Sequence, residues 1–210
     1  MIKCVLFDLD GVLVDACEWH YEALNLALQE ISNIEISRDE HVTTFNGLPT
    51  KTKLNILTEQ GRLSEADHDE IWNRKQDVTE EVIRKNCLQN EGIDNTKVKL
   101  FQGLKESGIR TGCVTNSIRR TATLMLESTG QLDEGLEILI TNEDVKNPKP
   151  DPEGYTKAIS HFGFDPEEVL IVEDSDKGFQ AASDSGAHVM RVVNATEVTF
   201  EKVKSYIESL

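Results

Sequence analysis

From about residue 98 to residue 193 the chain repeats one alternation, a helical pattern followed by a short apolar strand, and this constrains the fold more than any other feature. Val98, Leu100, Phe101 and Leu104 mark one face of a helix that Gly108 stops. Residues 109–114 read as a strand that runs into Thr115-Asn116-Ser117. Residues 121–128 are helical, 136–140 are strand, and a helix over 152–162 ends at Gly163. Val169-Leu170-Ile171-Val172 is continuously apolar, the pattern of a parallel strand covered on both faces, and it opens into Glu173-Asp174-Ser175. Another helix ends near Gly186, and a last strand lies near 188–193. Residues 2–7 add one more strand before the acidic turn Asp8-Leu9-Asp10-Gly11. Strands alternating with helices of ~10–15 residues build βαβ units, so the expected fold class is α/β, with a doubly wound parallel sheet.

Residues 16–92 break the alternation. Ala23, Leu24, Ala27, Leu28 and Ile31 recur at helical spacing. Ser64-Glu65-Ala66-Asp67 reads as a capping box opening a long helix that carries Ile71, Val78 and Val82. No strand pattern occurs there. The stretch is an all-helical insertion after the first strand, in a loop where an α/β sheet binds its ligand. The expected division is an α/β core of residues 1–15 and 93–210, with a helical domain of residues 16–92.

Charge narrows the function. Lys and Arg total 22 against 38 Asp and Glu, a net charge of −16. A nucleic-acid binder needs basic surface to displace phosphate counterions, and anionic membrane repels such a chain, so neither partner is expected. No run approaches the ~18–20 apolar residues of a membrane span. The first residues turn acidic at Asp8 without the long apolar stretch of a secretion signal, so a cytoplasmic location is expected. Cys4, Cys17, Cys87 and Cys113 are too scattered for a disulfide framework or a zinc knuckle; Cys4 and Cys113 lie in apolar runs and read as buried thiols.

Three expected strands end in polar clusters: Asp8 and Asp10, then Thr115 to Ser117, then Glu173 and Asp174. Lys149 lies in a proline-rich loop between strands. Clustered carboxylates repel unless a cation or a proton sits among them. Asp8, Asp10 and Asp174 are donors of the kind Mg²⁺ prefers, while Lys149 and the Thr115 hydroxyl suit phosphate oxygens. An Asp also serves as a nucleophile toward phosphorus. The joint pattern fits phosphoryl transfer. Taken singly, each piece also reads as a helix cap, a turn or a solvated lysine.

Phe7-Asp8-Leu9-Asp10-Gly11-Val12-Leu13-Val14-Asp15 resembles the first signature of the haloacid dehalogenase superfamily. Thr115, then Lys149-Pro150, then Glu173-Asp174-Ser175 with Gly178 resemble its other three signatures, in the family's order. The helical insertion is similar to the cap of the β-phosphoglucomutase and phosphoglycolate phosphatase-like branch. The resemblance implies a Rossmann-like three-layer α/β/α core and a hydrolase that uses Mg²⁺. It implies that Asp8 attacks phosphorus to form an aspartyl phosphate, while Asp10 serves as general acid and then base. It implies Mg²⁺ held by the Asp8 carboxylate, the Asp10 backbone carbonyl and Asp174, with Glu173 either ligating or bracing. Thr115 and the Asn116 backbone N–H would bind the phosphoryl group, Lys149 would neutralise it, and the Lys149–Pro150 peptide would be cis. Gly11 would let the backbone turn closely beneath the site, and Asp15 reads as a hinge anchor or a helix cap.

Within the insertion, His20 matches a histidine that the family's mutases carry on the first cap helix, with a structural role as the alternative. The loop Phe45-Asn46-Gly47-Leu48-Pro49 resembles the family's specificity loop, so Gly47 and Lys51 are possible substrate contacts. Either Lys51 or Lys53 could meet an anionic substrate, but a solvated helix face is the preferred reading of both. Arg119 and Arg120 are candidate anion contacts, and Trp72 reads as core. The related mutases place an arginine after the loop glycine, whereas here no arginine occurs until Arg62. The expected function is therefore hydrolysis of a small phosphorylated metabolite by a monomer or weak dimer. The alternative is a sugar phosphomutase; a remoter one is a non-catalytic binding protein on the same scaffold.

Overall fold

The computed structural model describes residues 1–89, 94–131 and 135–210; the side chains of 87–89, Cys87 among them, and the expected domain junction at 92/93 lie outside the described residues. In chain order the elements are β1 (Cys4–Phe7), α1 (Cys17–Ser32), α2 (Arg38–Glu40), α3 (Thr50–Glu59), α4 (His68–Gln89) and α5 (Asn95–Glu106). They continue with β2 (Arg110–Val114), α6 (Arg119–Ser128), β3 (Ile138–Ile140), α7 (Glu153–Phe162), β4 (Val169–Glu173), α8 (Asp176–Asp184), β5 (His188–Arg191) and α9 (Phe200–Glu208). The five strands form one parallel sheet in the order β3-β2-β1-β4-β5.

Successive strand residues face opposite sides, and the two faces have separate apolar cores. Val5 and Phe7 of β1, with Leu170 and Val172 of β4, pack toward Leu100, Phe101 and Leu104 of α5, Met125 and Leu126 of α6, and Val203 of α9. Cys4, Leu6, Val169 and Ile171 face the other way, toward Tyr155 and Ile159 of α7 and Ala181 and Ala182 of α8. This is the expected three-layer α/β/α arrangement. The helices between β1 and α5 gather a third cluster of their own, around Leu24, Leu28, Phe45, Leu54, Leu57 and Ile71. Among the described residues no helix is long and apolar enough to cross a membrane.

Register positions the site. Phe7 pairs with Cys113 on one side and Val172 on the other. Neighbouring strands lie ~4.8 Å apart, so the residues just past these pairs, Asp8, Thr115 and Glu173-Asp174, emerge side by side.

Three local readings are corrected. Ser64 accepts a bond from the Ala66 N–H across a 3₁₀ turn, while Asp67 accepts from the Ser32 hydroxyl; this ties the turn to α1 in place of a capping box. Asp15 is exposed, and the residue before α1 is Ala16, so no side chain caps that helix. The third is α9, which was not anticipated although Phe200, Val203 and Ile207 carry its spacing. It packs so closely on α5 that a Cβ on Gly103 would lie 2.5 Å from the Phe200 ring.

On α5 the face includes Lys97, which is 1% exposed. Its ammonium donates to the carbonyls of Ala195 and Val198 at 2.6 and 3.1 Å, closing the turn before α9. Lys97→Met keeps the length but strands two carbonyls, so a loss of about 2 kcal/mol in unfolding free energy is expected from urea denaturation. An unchanged midpoint would mean that the turn holds without the lysine.

Candidate active site

The loop after β1 is closed by its own backbone hydrogen bonds. The Leu9 carbonyl accepts from the N–H groups of Val12, Leu13 and Val14, and Gly11 donates to the Val14 carbonyl. Gly11 has φ +90°, and a Cβ there would lie 2.2 Å from Asp174 Oδ2, so glycine alone lets this loop lie against the end of β4.

At the floor, Lys149 Nζ donates to Asp8 Oδ1 at 2.7 Å and to Glu173 Oε1 at 2.6 Å. The Tyr155 hydroxyl donates to the same Glu173 oxygen at 2.6 Å. The Lys149–Pro150 peptide is cis, as expected. Burial works against the Lys149 ammonium, but Asp8 and Glu173 outweigh it and hold it charged. Burial raises the Asp8 carboxyl well above its usual range; Lys149 opposes this, while Glu173, Asp174 and Asp10 add to it.

Asp10 faces the other way. His20 Nε2 lies 2.8 Å from its Oδ1, while the hydroxyls of Ser117 and Thr115 donate to Oδ2 at 2.8 and 3.3 Å. Burial would raise this carboxyl, yet His20, Ser117 and Lys75 together hold it down at about 2. Burial lowers the His20 imidazole; Asp10 pulls it up and Lys75 pushes it down again.

The Asn116 side chain is a clamp. Its amide nitrogen donates to the carbonyls of Gly47 and Lys149, and its oxygen accepts the Lys149 N–H. One side chain thus joins the strand end to the lysine loop and to the Asn46-Gly47 turn of the helical insertion. Gly47 adopts φ +72° and lies against Ser175.

Asp8, Glu173 and Asp174 each offer an oxygen, all within 4.8 Å of one another. Glu173 already uses both of its oxygens: Oε1 on Lys149 and Tyr155, Oε2 on the Asp174 N–H and, at 3.5 Å, the Ser175 hydroxyl. It can tuck in because a Cβ on Gly178 would stand 1.9 Å from Oε1. Asp174 Oδ1 is buried and accepts no hydrogen bond among the described residues. Burial, with Glu173 and Asp10, raises the Asp174 carboxyl to about 6. An orphaned carboxylate oxygen among hard donors fits a divalent cation on Asp8 and Asp174, with Glu173 bracing.

A cavity of about 360 Å³ opens above these groups, between the strand ends and the helical insertion. Asp8, Asp10, His20, Gly47, Asn116, Lys149 and Asp174 all line it, as does Lys51, which is exposed at its edge with Nζ 5.8 Å from the Trp72 ring centre. Trp72 is accordingly half-buried and lines the cavity as well as the helical cluster. Arg119 is committed to Asp144, and Arg120 to Asp77 and Glu80 across to α4, so neither reaches the cavity. Sequence reasoning missed Lys75, Tyr155 and the role of Ser117. The first two had a signal: each is a polar residue on a helix face otherwise marked by apolar ones, Lys75 with Val78 and Val82, Tyr155 with Ala158 and Ile159.

Comparison with known proteins agrees with this geometry. The chain is 27% identical over 193 residues to the pyrophosphatase PpaX of Bacillus velezensis, covering 88% of this chain and 80% of that one. It is 28% identical over 191 residues to a phosphoglycolate phosphatase of Nitrosospira multiformis, covering 91% and 83%. In fold it resembles the β-phosphoglucomutase of Clostridium difficile, with a TM-score of 0.82 and 20% identity over 100% of this chain and 98% of that one. Residues 5–192 match the family of haloacid dehalogenase-like hydrolases, and to that family of enzymes the chain belongs.

Proposed function

We propose that this hydrolase is a Mg²⁺-dependent phosphatase that cleaves a small phosphomonoester through an aspartyl phosphate on Asp8. The coarser reading, a phosphatase of this family, is also what the names of its relatives support. One observation carries the finer one. Asp8, paired with Lys149, and Asp10, tied to His20 and Ser117, face one cavity from a single short loop.

Asp8 is the nucleophile. Its carboxylate oxygen bonds to phosphorus, the bond from phosphorus to the ester oxygen breaks, and the electron pair leaves with that oxygen. Asp10 in its protonated form gives that proton to the leaving oxygen, and His20 Nε2, 2.8 Å from Oδ1, orients its carboxyl. Asp10 then takes a proton from water, whose oxygen attacks phosphorus and frees the Asp8 carboxylate and inorganic phosphate. Lys149, the Thr115 hydroxyl and the Asn116 backbone N–H hold the phosphoryl oxygens. Asp8, Asp174 and the Asp10 backbone carbonyl would hold Mg²⁺, which would supply neutralisation of phosphoryl charge when bound. Residues 16–92 act as a cap over the core of 1–15 and 93–210, excluding water when substrate is bound.

The mutase reading keeps one observation in its favour, the buried lysines of the helical part, since a mutase must hold a second phosphate there. Incubation with β-glucose 1-phosphate and a trace of the 1,6-bisphosphate separates the two. Glucose 6-phosphate formed far faster than phosphate is released would overturn the phosphatase.

Asp8→Asn is expected to abolish phosphate release from a panel of phosphorylated metabolites with Mg²⁺. Asp10→Asn should fold normally and lose about 10²–10⁴-fold in kcat. Near-full activity in Asp8→Asn would sink the covalent route.

The cation site has a pH signature. The folded Asp174 carboxyl, near 6, lies above its ordinary 3.8, so its contribution to stability is present below about pH 4 and lost as pH rises through 6. A cation that binds the ionised form reverses that loss. Mg²⁺ is therefore expected to raise the melting temperature more at pH 7 than at pH 5, and Asp174→Asn should erase the gain. An undiminished gain in Asp174→Asn would place the ion elsewhere.

A further inference from the structure

Opposite the acidic strand ends, the cavity wall is basic, and two of its cations have no carboxylate within ion-pairing distance among the described residues. Lys53, in the first turn of α3, is 6% exposed, and its ammonium has no hydrogen bond or ion pair among the described residues. The ammonium of Lys75 on α4, equally buried, meets among the described residues only His20 Nδ1, at 3.3 Å. Both line the cavity. The expectation of a solvated helix face is thus corrected for Lys53. The first turn of α3 carries no acid and no side-chain cap, and Thr50 and Lys51 line the same cavity, so its free N–H groups add positive potential.

Buried ammonium groups without a counter-charge are unfavourable. Burial, helped by Lys75, pushes Lys53 down to about 7, and burial brings Lys75 to about 8. Among the described residues no carboxylate pairs directly with either ammonium, and Asp10 reaches Lys75 only through His20. An anion entering the cavity supplies what the fold leaves out.

The location says which part of a substrate that anion belongs to. Lys75 reaches Asp10 through His20, by contacts of 3.3 and 2.8 Å. Asp10 protonates the leaving oxygen, whereas the phosphoryl group lies with Asp8 and Lys149. The cations therefore face the leaving group. We propose that Lys53, backed by Lys75, is the residue that sets leaving-group specificity, binding a second anionic group, a carboxylate or a phosphate, beyond the scissile ester oxygen. A lysine ammonium is a mobile point charge that suits either anion. It also offsets the repulsion that a doubly anionic substrate meets from Asp8, Asp10 and Asp174. The proposal rests on the phosphatase reading of this site.

The test uses the full chain with Mg²⁺ and three probes: phosphoglycolate, pyrophosphate, and ethyl phosphate, which matches the first in size without its carboxylate. Wild type should favour at least one anionic probe over ethyl phosphate by about tenfold or more in kcat/KM, and which one distinguishes carboxylate from phosphate. Lys53→Met should lose at least about tenfold more on that probe than on ethyl phosphate, chiefly through KM, and Lys53→Arg should recover part of it. The melting temperature of Lys53→Met should equal or exceed that of wild type, because an unpaired buried charge is gone. No preference in wild type, or equal losses on all three probes, overturns the proposal. Wild type that releases no phosphate from these probes or from an aryl phosphate overturns the phosphatase reading, and this proposal with it.

Discussion

The site depends on one buried cation. Lys149 stands between Asp8 and Glu173, within 2.7 Å of each, and the Tyr155 hydroxyl donates to the same Glu173 oxygen as the lysine. Four acids, Asp8, Asp10, Glu173 and Asp174, gather at the ends of two adjacent strands, and without a central charge their repulsion and desolvation would splay the loops apart. With it, each acid takes a distinct task. Glu173 is saturated by donors and becomes scaffold. Asp8 keeps one oxygen on the lysine and faces the cavity, and Asp174 retains an oxygen that no group among the described residues satisfies.

Around that centre the helical part is tied on by polar contacts to groups that also face the chemistry. His20 brings α1 to Asp10, and Asn116 joins the Gly47 carbonyl to the backbone of Lys149. Lys177 adds a bond from α8 to the Asn46 carbonyl. A displacement of this part would therefore disturb the contacts of Asp10 and of the Lys149 backbone together. The resulting cavity has an acidic floor and a basic wall. Such a polarity orients a substrate whose two ends differ in charge or in coordination to a cation.

Much of this was legible in the chain. The short, continuously apolar runs and the polar residues at their ends specify strand termini, because a strand covered on both faces leaves only its ends for polar work. Gly11 was legible as a close approach, although its partner Asp174 was not, and Gly178 was legible only as part of a signature and not as room for Glu173. The two adjacent acids could not be told apart in the sequence, since an outward and an inward carboxylate look identical there. Lys53 and Arg120 were misread for a related reason. Whether a helix lysine meets solvent or a cavity, and whether an arginine meets substrate or Asp77 and Glu80, is decided by which helix packs opposite.

Periodicity and residue type are local properties of the chain, and they were enough for the α/β class, the run of helices after β1 and the set of groups available for chemistry. The tertiary structure decided which charges meet. The parallel register of β1 with β2 and β4 set Asp8 beside Thr115 and Glu173, and the docking of α1, α3 and α4 turned His20, Lys53 and Lys75 toward them. Pairing energies between charges fall steeply with separation and with solvent, so they exist only once packing has fixed both.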